Sequence, residues 1–362
     1  MTLHIFNPEH DIALAANLSN FTAPHAGRQL RYDLGFIPAL WAKDGDSVLV
    51  ENPERAANGY KRFMQSVSRQ LGKSFHGGNY QFPRWEQSVS TAETTDIQPW
   101  GWDFALRTQL KRIGARDALL PTDEQLATIR DLSHRRTSAL ILPQLQSEGT
   151  VGESFECTTA EEVDALSMRY DRLVLKAPWS SSGRGIRFIR RDAPVSQTGG
   201  WIRNLLHSQG SLMAEPFYDK VKDFGMEFEC NAEGVVNYLG LSLFHTANGA
   251  YTGNVLATES MKREMISHYI SVDLLDSVIE KICQLTSEIF KGKYVGPFGV
   301  DMMLVNAPSP NEKCLLHPCV EINLRRTMGH VALSLTPTDD DIVRVMQIDY
   351  SDNKYHLRIK RP

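Results

Sequence analysis

The stretch from Leu173 to Arg191 constrains the fold most, because it places two strand-like runs on either side of a loop of small residues. Residues 173–175 are a short apolar run that ends at Lys176, and residues 186–189 form a second run of β-forming residues. The loop between them, residues 180–185, supplies serine hydroxyls and glycines whose backbone N–H groups can surround an anion. This pattern is typical of a strand–loop–strand unit that covers phosphate groups. A surface hairpin with ordinary turn residues explains it equally well.

Length and composition limit the classes of protein to which the chain can belong. With 362 residues it exceeds one average hydrophobic core, so two or three domains are expected. A hydrophobic content of 42% and a charged content of 23% are typical of an ordinary globular protein. Since the net charge is −4 and the pI is about 6.3, we expect no nucleic-acid partner held by bulk positive charge.

No segment of the sequence predicts a membrane or secretory role. It contains no apolar run of about 18 residues, and its first residues lack the basic region and long apolar core of a signal peptide. We therefore expect a cytoplasmic protein with no membrane partner. The five cysteines are odd in number and widely spaced, which argues against a disulfide framework. Cys314, His317 and Cys319 lack the spacing and the fourth ligand of a zinc site, so they are predicted to belong to a buried strand.

Residues 1–117 begin with a strand-like run, Leu3 to Phe6, which is followed at once by polar residues. Open α/β sheets bind ligands at the carboxyl ends of their strands, so the polar residues Asn7, Glu9, His10 and Asp11 could contact a ligand. A capped turn before a helix at residues 12–17 is an equally good interpretation. Residues 47–51 predict a second strand, and the weak periodicity from there to Trp102 assigns no structure.

Residues 118–213 contain two helix-start signals. Thr122 with Gln125, and Thr159 with Glu162, are capping boxes that predict helices over 123–132 and from 159 towards 168. A further helix is predicted over 201–207, whereas residues 137–142 fit a helix or an extended segment.

Residues 214–362 combine a hairpin, a long helix and a pair of strands. Runs at 225–230 and 235–243 flank a turn and predict the hairpin. The polar, glycine-containing residues 245–254 predict a loop over a ligand site. Apolar residues on one face predict a helix over 273–290, which ends at Gly292.

The strands predicted at 298–305 and 315–324 carry the most chemistry. Period-two geometry places Glu321 and Asn323 on one face, and a short connection would make the strands antiparallel and set Asp301 opposite Glu321. Two carboxylates and an amide are the hard oxygen ligands that Mg²⁺ takes while it also holds phosphate oxygens. The alternative is a solvent-facing sheet surface with scattered acidic residues.

The order of these motifs over residues 120–330 resembles the ATP-grasp superfamily, which includes biotin carboxylase, carbamoyl-phosphate synthetase and the D-alanine–D-alanine ligases. The resemblance implies an α/β fold of the α+β ATP-grasp type. An N-terminal α/β domain (1–117) would precede two α+β subdomains that clasp ATP between antiparallel sheets. The central subdomain (118–213) would carry the phosphate loop, and the C-terminal subdomain (214–362) would carry the metal and acceptor sites.

The same resemblance implies roles for individual residues. The implied ATP contacts are Arg135, Lys176, Ser181, Ser182, Gly183, Gly185, Glu215, Phe217 and Asp223. Arg136 stays open as an alternative to Arg135, and Glu227 as an alternative to Asp223. The implied ligands of Mg²⁺ (or Mn²⁺) are Asp301, Glu321 and Asn323. Arg325 and Lys176 would act on the transferred phosphoryl group.

The leading functional hypothesis is an ATP-dependent ligase that joins a small-molecule carboxylate to an amine or thiol through an acyl phosphate, with release of ADP and phosphate. A kinase that phosphorylates a hydroxyl or carboxylate, and a nucleotide-binding module without catalysis, are the alternatives. A homodimer is suggested by analogy alone. The sequence does not identify the acceptor substrates. The candidate acceptor contacts are Asn7, Glu9, His10, His245, Asn248, Tyr251, Asn254, Arg326 and His330.

Overall fold

The computed structural model describes residues 1–72, 83–180, 185–191, 199–247, 250–307 and 313–362. Within these ranges the chain builds three sheets, of which the first is parallel and the other two are antiparallel. The predicted mixed α/β class is therefore confirmed. Ser181, Ser182, Gly183 and Asn248 lie outside the described residues.

The first sheet has four parallel strands in the order β3-β2-β1-β4. Its strands are β1 (Thr2–Ile5), β2 (Ser47–Leu49), β3 (Arg84–Glu86) and β4 (Asp96–Pro99). The helices of this region are α1 (His10–Ala16), α2 (His25–Leu34), α3 (Pro53–Leu71) and α4 (Phe104–Arg112), and short 3₁₀ turns cover Ile37–Leu40 and Asp117–Leu119. The strands predicted near residues 3 and 47 and the helix predicted after Asp11 are confirmed.

Helix α3 was not predicted, although its start is marked in the sequence. Asn52 caps the helix by accepting a hydrogen bond from the N–H of Arg55 at 2.9 Å, and Pro53 occupies the first helical position. The buried residues Ala56, Tyr60 and Phe63 follow at helical spacing. These signals would have identified the helix within a region where overall periodicity is weak.

The second sheet has four antiparallel strands in the order β5-β8-β6-β7. The elements are α5 (Asp123–Leu132), α6 (Arg136–Leu145), β5 (Phe155–Cys157), α7 (Ala160–Arg169), β6 (Arg172–Lys176), β7 (Ile186–Arg190), α8 (Gly199–Gln209) and β8 (Leu212–Pro216). Both capping boxes form, so the helices predicted from them are confirmed. The boundary that we expected after residue 213 falls inside β8.

The third sheet has seven antiparallel strands in the order β13-β12-β9-β10-β11-β14-β15. The elements are β9 (Lys220–Cys230), β10 (Val236–Ala247), β11 (Ala250–Leu256), α9 (Glu259–Ser267), α10 (Val272–Phe290), β12 (Gly296–Val305), β13 (Leu315–Asn323), α11 (Met328–Leu333), β14 (Arg344–Ser351) and β15 (Lys354–Lys360). The predicted hairpin, long helix and paired strands are confirmed.

The prediction of a loop over residues 245–254 was wrong. Residues 236–247 and 250–256 are strands β10 and β11, which pair with each other through Phe244 and Asn254. Strand β11 also pairs with β14, where Asn254 lies opposite Met346. The sequence contains a local signal for β10 and β11 that the loop prediction overlooked, because an Asn-Gly pair at 248–249 separates them. The pairing with β14 joins distant residues and has no such signal.

Two hydrophobic cores support the sheets that carry the site. Phe228, Phe298 and Phe290 join the third sheet to α10 in the larger core. A second core packs α2 and α3 against β14 and β15, so that the two ends of the chain are buried together. All five cysteines are free, and His317 and Cys319 are buried in β13, as predicted. The prediction was wrong for Cys314, which precedes β13 and is only partly buried. In the described part of the chain we find no helix long and apolar enough to cross a membrane.

Candidate active site

Four polar side chains share one face of the third sheet, across β9, β12 and β13. Asp301 lies directly opposite Glu321, which confirms the predicted register, and Gly299 lies opposite both Asn323 and Glu227. Residues opposite each other, and residues two apart on one strand, point to the same face. Glu227, Asp301, Glu321 and Asn323 therefore form one polar surface.

Glycines make space for this polar surface. A Cβ atom added to Gly299 would lie 2.7 Å from Glu227 Oε2, and one added to Gly329 of α11 would overlap Glu227 Oε1. Glu227 is buried, and its Oε2 lies 2.9 Å from His330 Nδ1. Side chains at the two glycine positions would thus displace the carboxylate from the sheet.

Arg135 connects the second sheet to the third. Its Nη2 donates to Glu321 at 2.8 Å, and its Nη1 donates to Ser180 Oγ at 2.8 Å and to the carbonyl of Ala177. Arg136 instead pairs with Asp131 and donates to Glu156 at 3.2 Å, on the outer side of α6. Of the two arginines considered, Arg135 is the one that lies beside the polar surface.

Lys176 and Glu215 form a buried ion pair with a distance of 2.5 Å between Nζ and Oε2. Three other predicted nucleotide contacts that the structure describes also have partners within the protein. The N–H of Phe217 donates to the carbonyl of Arg172 at 3.0 Å, and Asp223 pairs with Lys220 at 2.5 Å. The carbonyl of Gly185 accepts a hydrogen bond from the N–H of Ala177 at 2.8 Å, which closes the base of the predicted phosphate loop.

Arg325 lies between the N-terminal region and the polar surface. It donates two hydrogen bonds of 2.7 Å to Asp11 and one of 3.0 Å to Asn323 Oδ1, while Asn323 Nδ2 donates to Asp301 at 3.1 Å. Burial disfavours the charge of Arg325, but the carboxylates of Asp11, Glu321 and Asp301 outweigh it and raise the pKa of Arg325. The arginine is therefore a fixed positive charge at this point.

The ionisation of Asp301 on the polar surface is disfavoured. Burial, followed by the negative charges of Glu321 and Glu227, raises the pKa of Asp301 to about 7. A cation placed between Asp301 and Glu321 would remove this repulsion. The surface is thus chemically suited to hold a positive charge.

The side-chain oxygens of Asp301, Glu321 and Asn323 suit Mg²⁺ better than a metal ion whose ligands all come from the protein. Among the residues that the structure describes, no three His, Cys, Asp or Glu side chains converge on a metal position. Mg²⁺ commonly binds one or two carboxylates and completes its shell with water and phosphate oxygens. Asp301, Glu321 and Asn323 match that incomplete shell.

A small cavity of about 20 Å³ lies where the N-terminal region meets β13. Its lining includes His10, Asp11, Ser180, Glu321 and Asn323. The cavity brings an acceptor candidate, His10, next to two predicted metal ligands. A larger cavity of about 490 Å³ lies between α2, α3 and β15, and none of the predicted site residues lines it.

Most of the remaining acceptor candidates that the structure describes have contacts within the protein. Asn7 donates to the carbonyl of Gly101 at 2.8 Å, Glu9 pairs with Arg31 at 3.0 Å, and His245 is exposed on β10. Tyr251 donates to Asn254, which in turn donates to Ser242. The guanidinium of Arg326 lies 4.6 Å from the centre of the Trp41 ring, and His330 contacts Glu227.

Two acidic residues beside the cavity were not among the candidate site residues, although Asp11 belongs to the polar run predicted after β1. Asp11 pairs with Arg325, and Asp103 pairs with His10 at 3.3 Å. Asp103 follows β4, a strand that weak periodicity left unassigned. The partner of Asp11 lies 314 residues further along the chain, so only the folded structure reveals the pair.

Comparison with known proteins gives similarity of structure only. No protein-family model and no curated protein matches the sequence. The structure is similar to N5-carboxyaminoimidazole ribonucleotide synthetase from Thermus thermophilus, with 12% identity, a TM-score of 0.49 and coverage of 97% of this chain and 83% of that one. It is also similar to N5-carboxyaminoimidazole synthetase from Staphylococcus aureus complexed with ADP, with 12% identity, a TM-score of 0.45 and coverage of 75% of this chain and 72% of that one. A biotin carboxylase from Campylobacter jejuni is similar at 14% identity, with a TM-score of 0.47 and coverage of 71% of this chain and 59% of that one. Similarity this low assigns neither a reaction nor a residue role, so function has to be inferred from the site.

Proposed function

We propose that this protein is an ATP- and Mg²⁺-dependent ligase of the ATP-grasp type, which joins a small-molecule carboxylate to an amine or thiol through an acyl phosphate. The observation that carries the proposal is the polar surface formed by Asp301, Glu321 and Asn323, with Arg135 and Arg325 hydrogen-bonded to it. Phosphoryl transfer needs aligned oxygens and neutralised charge more than covalent help from the protein. This arrangement supplies both.

Each residue of the site then has a defined task. Asp301, Glu321 and Asn323 would hold Mg²⁺, which neutralises phosphate charge when bound. Arg135 and Lys176 would bind phosphate oxygens of ATP, and Arg325 would stabilise the transferred group. Their present partners Glu321, Glu215 and Asp11 neutralise these cations while no phosphate is present. We therefore expect ATP to compete with internal ion pairs for these three cations.

The enclosed cavity beside the polar surface supports a ligase. An acyl phosphate is hydrolysed by water, so an enzyme that forms one has to exclude water. The cavity beside Glu321 and Asn323 is small and is closed on one side by the N-terminal residues His10 and Asp11. The reacting amine or thiol group of an acceptor that enters this cavity would meet the acyl group away from solvent.

The first test is the thermal unfolding midpoint with and without MgATP. A ligand at roughly 100 times its Kd adds about 2.7 kcal/mol to the free energy of unfolding, which shifts a midpoint by several degrees. Glu321→Gln should lose most of this shift. Glu229→Gln, which changes an exposed acidic residue on β9, should keep it. A folded wild-type protein with no shift would contradict the nucleotide site.

A second test separates the ligase from a kinase that phosphorylates a hydroxyl. Wild-type protein is incubated with MgATP, a panel of small carboxylic acids and hydroxylamine, which traps acyl phosphates as hydroxamates. A ligase should release phosphate and form hydroxamate only when a suitable acid is present. ADP formation with a stable phosphorylated product and no hydroxamate would favour the kinase.

A further inference from the structure

His10 occupies an unusual position at the wall of the cavity. It is the first residue of α1, it lies at the carboxyl end of β1, and only 1% of its surface is exposed. Asp103 lies beyond the carboxyl end of β4, the strand that pairs in parallel with β1. Because the carboxyl ends of parallel strands meet at one edge of a sheet, the two side chains come together there.

The surroundings of Asp103 define the protonation of the imidazole. Asp103 Oδ1 accepts the N–H of Leu106 at 2.8 Å, and Oδ2 lies 3.3 Å from His10 Nδ1 and accepts from Asn7 at 3.4 Å. Because both Asp103 oxygens already accept N–H hydrogen bonds, a neutral imidazole at this position donates from Nδ1 and keeps its free lone pair on Nε2. A Cβ atom at Gly101 would lie 2.7 Å from the ring, so the glycine allows the imidazole to pack flat against the backbone.

The free nitrogen has no internal partner. Within the described ranges, His10 Nε2 is buried and makes no hydrogen bond, although His10 lines the cavity with Asp11, Ser180, Glu321 and Asn323. A buried acceptor without a partner costs about 1–3 kcal/mol, so such atoms usually face a ligand or a water. The cavity, at about 20 Å³, has room for one small group.

We infer that His10 is the general base of the amine-transfer step and that Asp103 is its positioning residue; this inference rests on the proposed ligase function. The amine nitrogen attacks the acyl carbon, and a C–N bond forms. The bond between that carbon and the phosphate oxygen breaks, and phosphate leaves with the electron pair. The proton of the attacking nitrogen passes to His10 Nε2, while Nδ1–H stays hydrogen-bonded to Asp103 and stabilises the imidazolium.

The chain contains a matched control for this arrangement. His4 lies on β1 and is also buried. It pairs through its Nε2 with Asp46 at 3.1 Å, and among the described residues its Nδ1 has no partner. His4 does not line the cavity. Substitution of His4 therefore reproduces the loss of a buried histidine–aspartate pair without touching the proposed base.

The test compares two nucleophiles that differ in their need for a base. Hydroxylamine is uncharged at neutral pH and attacks acyl phosphates unaided. Ammonia and the amino groups of amino acids are ammonium ions at that pH, so a base has to remove a proton before the nitrogen can attack. With MgATP and the carboxylic acid that gives most hydroxamate, His10→Gln should keep hydroxamate formation within about 3-fold and lose about 10²–10⁴-fold of amide formation. Asp103→Asn should show the same selective loss to a smaller degree. His4→Gln should keep both products.

Each other outcome has a definite meaning. If wild type forms no hydroxamate with any acid, the proposed ligase function fails and this inference falls with it. If wild type forms hydroxamate and amide, and folded His10→Gln keeps both or loses both equally, the ligase stands and the base is overturned. Hydroxamate without amide from any amine also overturns it. Ring ¹⁵N chemical shifts, assigned by comparison with His10→Gln, provide a check that needs no substrate, and a proton on Nε2 in the free protein would overturn the assignment.

Discussion

Individual residues of the candidate site neutralise one another across long stretches of sequence. Arg135 pairs with Glu321, Lys176 with Glu215 and Arg325 with Asp11. In each pair, a cation expected at the phosphates or the transferred group is bound to a carboxylate. The sequence indicated most of these residues, since their order along the chain resembles a known family. It could not indicate the pairs, because every pair joins different elements of the fold.

Asp301 allows a prediction about pH. Its pKa in the folded protein is about 7, whereas the pKa of an unfolded aspartate is about 3.9. Between these values the folded state keeps a proton that the unfolded state releases, so stability falls as the pH rises from about 4 to 7. Asp301→Asn cannot acquire the charge. We expect the variant to unfold several degrees above wild type at pH 8 and close to wild type at pH 4.5.

Thermal unfolding at the two pH values, in buffer without divalent metal, measures this effect. Glu229→Gln removes an exposed carboxylate from the same sheet and should change the midpoint little at either pH. If Asp301→Asn and wild type unfold at the same temperature at pH 8, the carboxylate is not held under repulsion from Glu321 and Glu227.

At the scale of elements, local signals and distant pairing divide the fold into predictable and unpredictable parts. The capping boxes at Thr122 and Thr159 correctly predicted helices α5 and α7, because cap and helix lie within a few residues of each other. The register of β12 and β13 was predictable for a similar reason, since a short connection joins them. The last residues of β10 and most of β11 were wrongly predicted as a loop, and the pairing of β11 with β14 lies beyond the reach of local signals.

Helix α11 packs closely on the polar surface, and this contact allows a prediction. Gly329 of this helix packs directly on Glu227 and Ser242, so an added Cβ would overlap both side chains. Gly329→Ala should force the helix or the carboxylate to move and lower the free energy of unfolding by about 1–3 kcal/mol. Urea unfolding measures the difference, and the MgATP-induced thermal shift reports any disturbance of the surface.

Gly200 of α8 is the matched control for this substitution. It is also helical, but among the described residues a Cβ added there would meet nothing within 4 Å. Because alanine favours a helix over glycine by about 0.8–1.0 kcal/mol in a helix interior, Gly200→Ala should be neutral or stabilising. Equal effects of the two substitutions would mean that helix propensity, and not contact with Glu227, decides the outcome at Gly329.

At the scale of the whole molecule, the C-terminal hairpin belongs to the N-terminal core. Strands β14 and β15 extend the seven-stranded sheet, and they also pack against α2 and α3. The sequence did not indicate this, since residues 344–360 carry no motif that refers to the first helices. The first sheet and the third sheet are thus held together by the last residues of the chain, as well as by Arg325 and Asp11.

Asp33 is the polar link in this contact between chain ends. Its Oδ2 accepts the N–H of Tyr355 of β15 at 2.9 Å and the amide of Gln29 at 2.8 Å, while its Oδ1 pairs with Arg55 of α3. Burial alone would raise the pKa of Asp33, but the hydrogen bonds from Gln29, Tyr355 and Arg55 outweigh it and lower the pKa. The charged carboxylate therefore stabilises the fold.

We expect Asp33→Asn to lower the free energy of unfolding by about 1–3 kcal/mol at pH 7, because the buried donors lose a charged acceptor. For a carboxyl group with a lowered pKa, this stability is present above the unfolded value of about 3.9 and is lost as the pH falls through the folded value. The difference between variant and wild type should therefore shrink below pH 4. Urea unfolding at pH 7 and at pH 3.5 tests this, with the exposed Asp341→Asn as control. A deficit that is equal at both pH values would show that Asp33 links the chain ends by shape and not by its charge.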